Sequence, residues 1–184
     1  GLVHRDVTPH NVIVTHEGQV KLIDFGIARG FESCADTQVG TFKGKASYCA
    51  PEQARGERVD RRADLFAVGV MLWEALTQRR MWPELDEVAI VQRLRAGEVP
   101  ALPDGAHPEL RALCRRALAV APADRPATAA ELAEAIVRTG APRASRRELV
   151  GLLGLHFCEE RAGLRTLIEG QMRRSSERDA DAPI

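Results

Sequence analysis

The chain has 184 residues, and its 26 Lys and Arg balance 26 Asp and Glu for a formal net charge of +0. That length allows one good core or slightly more, and the neutral balance gives no reason to invoke nucleic acid or an acidic membrane surface. Cys34, Cys49, Cys114 and Cys158 lie far apart with no C-x-x-C pair, which argues against a zinc site and a disulfide framework and makes a reducing cytosol the expected compartment.

In chain order, the first signal is His4-Arg5-Asp6, followed by Asn11 and two short apolar runs, residues 12–14 and 20–23, on either side of a turn at residues 15–18. This pattern predicts a β-hairpin. A hairpin sets the loop before its first strand beside the loop after its second, so Asp6, Asn11 and Asp24 can converge at one end. One Asp can accept a proton from a hydroxyl while Asn and the other Asp offer hard oxygens to Mg²⁺. Read together, H-R-D-V-T-P-H-N and D-F-G (Asp24-Phe25-Gly26) resemble the catalytic loop and metal-binding motif of protein kinases.

Residues 26–51 lose periodicity and carry several Gly, Ser and Thr, as a long functional loop does. In the kinase resemblance this is the activation loop, closed by Ala50-Pro51-Glu52, with Thr41 or Thr37 as the candidate phosphosite and Arg5 as the partner of its phosphate. Asp60 is the expected N-cap of an apolar helix, of which residues 65–73 are too short to span a bilayer. That helix resembles the central helix of the kinase C-lobe, which implies that Asp64 bonds the catalytic-loop backbone. Further helices are expected around residues 86–95 and from Pro108 to about residue 120. Ala121 to Pro126 resemble the D-P-x-x-R-P element, whose arginine, here Arg125, pairs with Glu52 in that family. Thr128-Ala129-Ala130-Glu131 is the signature of a capping box opening a helix to about Arg138.

Gly140 to Pro142 read as a boundary, giving a kinase C-lobe over 1–139 and a segment 140–184. In that segment Leu149, Leu153, Phe157, Leu164, Ile168 and Met172 fall on one helical face, and residues 173–184 are expected to be disordered. The expected fold class is α+β, predominantly α-helical, equivalent to the C-terminal lobe of a protein kinase without its N-lobe. The composition shows no signal peptide.

The resemblance, specifically to bacterial Hanks-type serine/threonine kinases, implies ATP and Mg²⁺ as cofactors and a protein as substrate. It implies Asp6 as proton acceptor, Asn11 and Asp24 as metal ligands, Ile13 beneath the adenine, and His4 and Phe25 as stacked members of an apolar spine. Two positions depart from the family. Thr8 stands where most serine/threonine kinases have a lysine that contacts the γ-phosphate, and Lys45 stands where most have threonine, so Lys45 is a candidate for the displaced charge. The 184 residues contain no Gly-rich phosphate loop or strand lysine, and they start at Gly1. The expectation is a fragment whose missing N-lobe partners it and whose isolated activity is weak or absent. A non-catalytic kinase-like interaction module and a small-molecule phosphotransferase are the alternatives. Glu52, Asp64 and Arg125 favour the protein-substrate branch.

Overall fold

A computed structural model describes residues 2–25, 46–102 and 107–180. These fall into two compact units, one drawn from Gly1–Ile13 and Lys21–Pro142, the other from Val14–Val20 and Arg143–Ile184. The elements are mostly helical, with one two-stranded sheet.

The sheet pairs β1 (Val12–Val14) with β2 (Val20–Leu22). β2 stops one residue short of the apolar run, but Ile23 N still donates to Asn11 O at 2.9 Å. Neither strand is buried, and Ile13, Val14, Val20, Leu22 and Ile23 all present apolar side chains to the outside.

In the first unit, α1 (Pro51–Arg55), α2 (Arg62–Thr77), α3 (Glu87–Ala96) and α4 (Pro108–Ala117) contribute to a main apolar cluster, and α5 (Ala129–Arg138) packs Leu132 on Leu65 and Leu113 in a smaller one. The apolar α2 supplies the centre of the main cluster, where Phe66 and Val70 are fully buried with Ala54, Leu94 and Cys114. Gly69 lets α2 approach α4 closely, because a Cβ there would sit 3.0 Å from Ala117 Cβ. Asp60 does not occupy the N-cap itself. The cap is Arg61, and the Asp60 carboxylate accepts from Arg62 N at 2.7 Å, satisfying a first-turn donor from one residue further back. Asp86 does cap α3, accepting from Ala89 N at 2.8 Å.

Two helix ends differ from the sequence reading. α4 ends at Ala117, about three residues early, because the Ala119 and Val120 carbonyls turn out of the helix to accept from Arg125 at 2.8 and 3.1 Å. At the start of α5, Thr128 Oγ1 accepts from Glu131 N at 3.1 Å as a cap should. The Glu131 carboxylate, however, reaches Ala127 N at 2.7 Å rather than the amide of the cap residue. That backbone donor and the Arg116 guanidinium at 2.7 Å hold the Glu131 carboxyl below its usual range.

The second unit contains α6 (Arg146–His156), α7 (Cys158–Ala180) and the hairpin turn. The expected single apolar face is broken at Phe157, which leaves the helix with φ −129° and ψ 25°. α7 continues to Ala180, through a run from residue 173 free of Gly and Pro. No helix among the described residues is long and apolar enough to cross a membrane.

Candidate active site

The loop from Leu2 to Asn11 is built on Asp64, in the first turn of α2. Its Oδ2 accepts from His4 N and its Oδ1 from Arg5 N, each at 2.8 Å. Arg5 has φ +65°, in the left-handed region. A left-handed residue turns consecutive amides toward one concave side, so a single carboxylate can take both. Burial pushes the Asp64 carboxyl up, and the two amide donors oppose that by favouring its charge.

His4 is buried and its ring is fixed at both nitrogens. Asp6 N donates to Nδ1 at 3.3 Å, so Nδ1 is the acceptor and the proton resides on Nε2, which faces Ile23 O at 3.1 Å. The His4 and Phe25 rings lie 4.6 Å apart at 38°. Between Ile23 and Phe25, Asp24 is left-handed at φ +67°. A non-glycine residue in this region costs on the order of 1–3 kcal/mol and persists where its surroundings over-determine it. Here the His4–Ile23 bond on one side and the His4–Phe25 contact on the other do so.

Asn11 ties the loop to the hairpin. Its Nδ2 donates to Asp6 O at 2.7 Å, its backbone N to Thr8 O at 3.0 Å, and its carbonyl accepts from Ile23 N at 2.9 Å. The last bond sets Asn11 one residue out of register with Asp24. The structure therefore brings His4, Arg5, Asp6, Thr8 and Asn11 into one loop against Asp24 and Phe25, with Ile13 exposed on β1. Gln53 of α1 adds a longer bond to Arg5 O at 3.4 Å. The side-chain Nδ2 of Asn11 is committed to Asp6, which leaves its amide oxygen as the free hard donor; Asp24 adds a carboxylate. That donor chemistry fits Mg²⁺. Thr8 Oγ1 is buried with no hydrogen-bond partner.

Lys45, Thr41 and Thr37 lie outside the described residues, as does Gly26. Away from the loop, Arg125 and Glu52 form a buried pair.

A cluster not singled out from the sequence lies just before α1. Tyr48 OH donates to Glu74 Oε2 at 2.8 Å and accepts from Arg80 Nη1 at 2.6 Å, while Glu74 Oε1 accepts from Met81 N at 3.2 Å. Burial first, then the Glu74 carboxylate, push the Tyr48 phenol up to about 12. The cluster anchors the segment entering Ala50-Pro51-Glu52 to the end of α2. A signal existed in the sequence: Glu74 directly follows the apolar run 65–73 of α2, and Tyr48 is the chain's single tyrosine.

Comparison with known proteins matches residues 1–137 to the family described as protein kinase domain. The chain is similar to tyrosine-protein kinase MasK of Myxococcus xanthus, with 45% identity over 73% of this chain and 21% of that protein. It is similar to serine/threonine-protein kinase PknB of Mycolicibacterium smegmatis, with 40% identity over 75% of this chain and 23% of that protein. Serine/threonine-protein kinase PknL of Mycobacterium tuberculosis shows 39% identity, over 70% of this chain and 33% of that protein. The chain thus spans about a fifth to a third of the length of the curated relatives it matches.

Proposed function

This chain belongs to the protein kinase family, and on that premise we propose that its loop and hairpin form the C-terminal-lobe half of a centre that transfers the γ-phosphoryl group of ATP to protein hydroxyls. The observation that carries the reading is the Asn11 clasp, in which one residue bonds Asp6 O through its side chain and Ile23 N through its carbonyl. It holds the three residues with acid and hard-oxygen chemistry at one end of one hairpin.

In this reading the acceptor hydroxyl gives its proton to the Asp6 carboxylate as the new O–P bond forms, the bond from γ-phosphorus to the β-phosphate oxygen breaks, and ADP leaves. Asn11 and Asp24 hold Mg²⁺, which when bound neutralises the negative charge of the phosphates. His4, fixed as the Nε2–H tautomer, braces Ile23 and so the position of Asp24. Asp64 braces Arg5 and so the position of Asp6. Ile13 offers an apolar floor to the adenine. Most of the catalytic benefit in such a centre is positioning and electrostatics, which such bracing serves. The other half of the nucleotide site belongs to an N-lobe, and we place the protein in the cytosol.

We assign Ser and Thr as the acceptors. The relatives include kinases named for serine/threonine and for tyrosine, so phosphoamino-acid analysis of the product tests that part by itself. The central test is phosphate transfer from radiolabelled ATP by the product of the natural reading frame that contains these residues. Asp6→Asn should lower the rate by about 10²–10⁴-fold; an unchanged rate would remove Asp6 from the chemistry, and no transfer by the unaltered product would favour a non-catalytic interaction module.

A further inference from the structure

The turn that closes the hairpin is held from within by Gly18 N donating to Thr15 O at 2.8 Å, Thr15 N to Gln19 O at 2.8 Å, and Gln19 N to Thr15 Oγ1 at 3.2 Å. It is also held by a residue far along the chain. Arg146 Nε donates to Glu17 O at 2.6 Å, a charge-assisted bond. Gly18, at φ +72°, lies bare against the same helix: a Cβ there would be 3.0 Å from Arg146 Cγ, 3.0 Å from Val150 Cγ2 and 3.3 Å from Arg146 O. The chain therefore needs glycine at this position for two reasons, its backbone conformation and the closeness of α6.

The start of α6 is set so that these contacts align. Ser145 Oγ accepts from Glu148 N at 3.2 Å and Glu148 Oε2 accepts from Ser145 N at 2.7 Å, a complete capping box. That makes Arg146 the first helical residue, and the four-residue step to Val150 sets both on one face. The match to the kinase domain ends at residue 137, so this grip is made by residues beyond it.

We propose that α6 is an intramolecular clamp on the hairpin turn: seated through Arg146 on Glu17 O and Val150 on Gly18, it orders the turn that joins the strands leading from Asn11 and toward Asp24. Through these contacts the segment after the kinase domain holds the hairpin turn. The clamp itself does not rest on the phosphoryl-transfer reading; only its consequence for Asn11 and Asp24 does, and its test reads no activity.

The test is NMR on the full 184-residue chain. Nuclear Overhauser contacts between Gly18 Hα and the Val150 methyls are expected. Val150→Asp and Arg146→Ala should each speed amide exchange at Gly18 and Gln19 by about tenfold, the scale of one lost hydrogen bond, while the Phe66 and Val70 amides of α2 exchange as before. Absence of the Gly18–Val150 contacts in the unaltered chain, or unchanged exchange at Gly18 and Gln19 in both variants, overturns the clamp. Should a variant unfold, the Phe66 amide reveals it and the contacts in the unaltered chain still decide.

Discussion

Arg125 and Glu52 meet fork to fork: Nη1 lies 2.7 Å from Oε1 and Nη2 2.7 Å from Oε2, with side-chain exposures of 0% and 2%. The guanidinium also donates from Nε to Ala119 O at 2.8 Å, from Nη1 to Arg62 O at 3.0 Å and from Nη2 to Val120 O at 3.1 Å. Five N–H donors thus find five acceptors, and the cation lies 4.9 Å from the Phe66 ring centroid. One side chain joins the starts of α1 and α2 to the chain after α4.

Removing one partner of such a pair leaves the other buried and uncompensated, along with three orphaned carbonyls. Arg125→Ala should cost about 3–5 kcal/mol. Arg116→Ala, which breaks a pair whose arginine is 47% exposed, should cost about 1 kcal/mol or less. Urea unfolding of both variants checks this, and equal midpoints would refute it. Arg125→Lys should not rescue, since an ammonium cannot reproduce the planar fork.

Asp64→Ala should release the His4 and Arg5 amides together. Each loses a charged acceptor, and the left-handed turn at Arg5 loses its reason to persist. The expected loss is about 3–6 kcal/mol for two charge-assisted bonds, accompanied by faster exchange at those two amides. Protection of both amides retained in the variant would mean that Asp64 does not hold the loop.

The Tyr48 phenol has a sign that can be worked out. Unfolded, it ionises near 10.0; folded, near 12. Between those values the unfolded chain binds fewer protons, so stability falls as pH rises from 10 toward 12, and below 10 this group contributes no slope. Because the chain has one tyrosine, ultraviolet titration of phenolate reads it directly. A midpoint near 10 in the folded chain would refute the buried Tyr48–Glu74–Arg80 cluster.

Cysteine reactivity should divide by burial. Cys114 is fully buried, its thiol pushed up to about 12 by desolvation, and its Sγ faces Gly69 O at 3.6 Å. Cys158 is exposed. Alkylation of the native chain followed by peptide mapping should label Cys158 and leave Cys114 and the buried Cys49 untouched until denaturant is added. Native labelling of Cys114 would show that the α2–α4 contact opens.

Thr8 keeps a buried hydroxyl without a partner, at the position where most serine/threonine kinases place a lysine. If Lys45 supplies that charge, Lys45→Thr lowers phosphotransfer by the full-length kinase and adding Thr8→Lys restores it. Failure of the double variant to recover, with the single variant impaired, would remove the exchange.

Much of this architecture follows from local pattern. Short apolar runs at residues 12–14 and 20–23 with a turn between them specify a hairpin, and Asp86 and Thr128 announce their helices, because strand pairing across a tight turn and helix caps are satisfied by near neighbours. The motif order placed Asp6, Asn11 and Asp24 together, and pointed Arg125 at Glu52. What the pattern could not contain are the groups satisfied outside their own helix or strand. The early end of α4 depends on carbonyls claimed by Arg125, and the reach of Glu131 to Ala127 on the course of the chain before its cap. The left-handed turns at Arg5 and Asp24 depend on Asp64 and His4. Tyr48, Glu74 and Arg80 are separate in the chain and meet only in the fold, and Gly18 is needed partly because a helix beginning at Arg146 lies on it. A residue's periodicity records whether it is buried. Only tertiary structure decides which distant donor meets which acceptor, because that choice minimises unpaired polar groups over the whole packed chain.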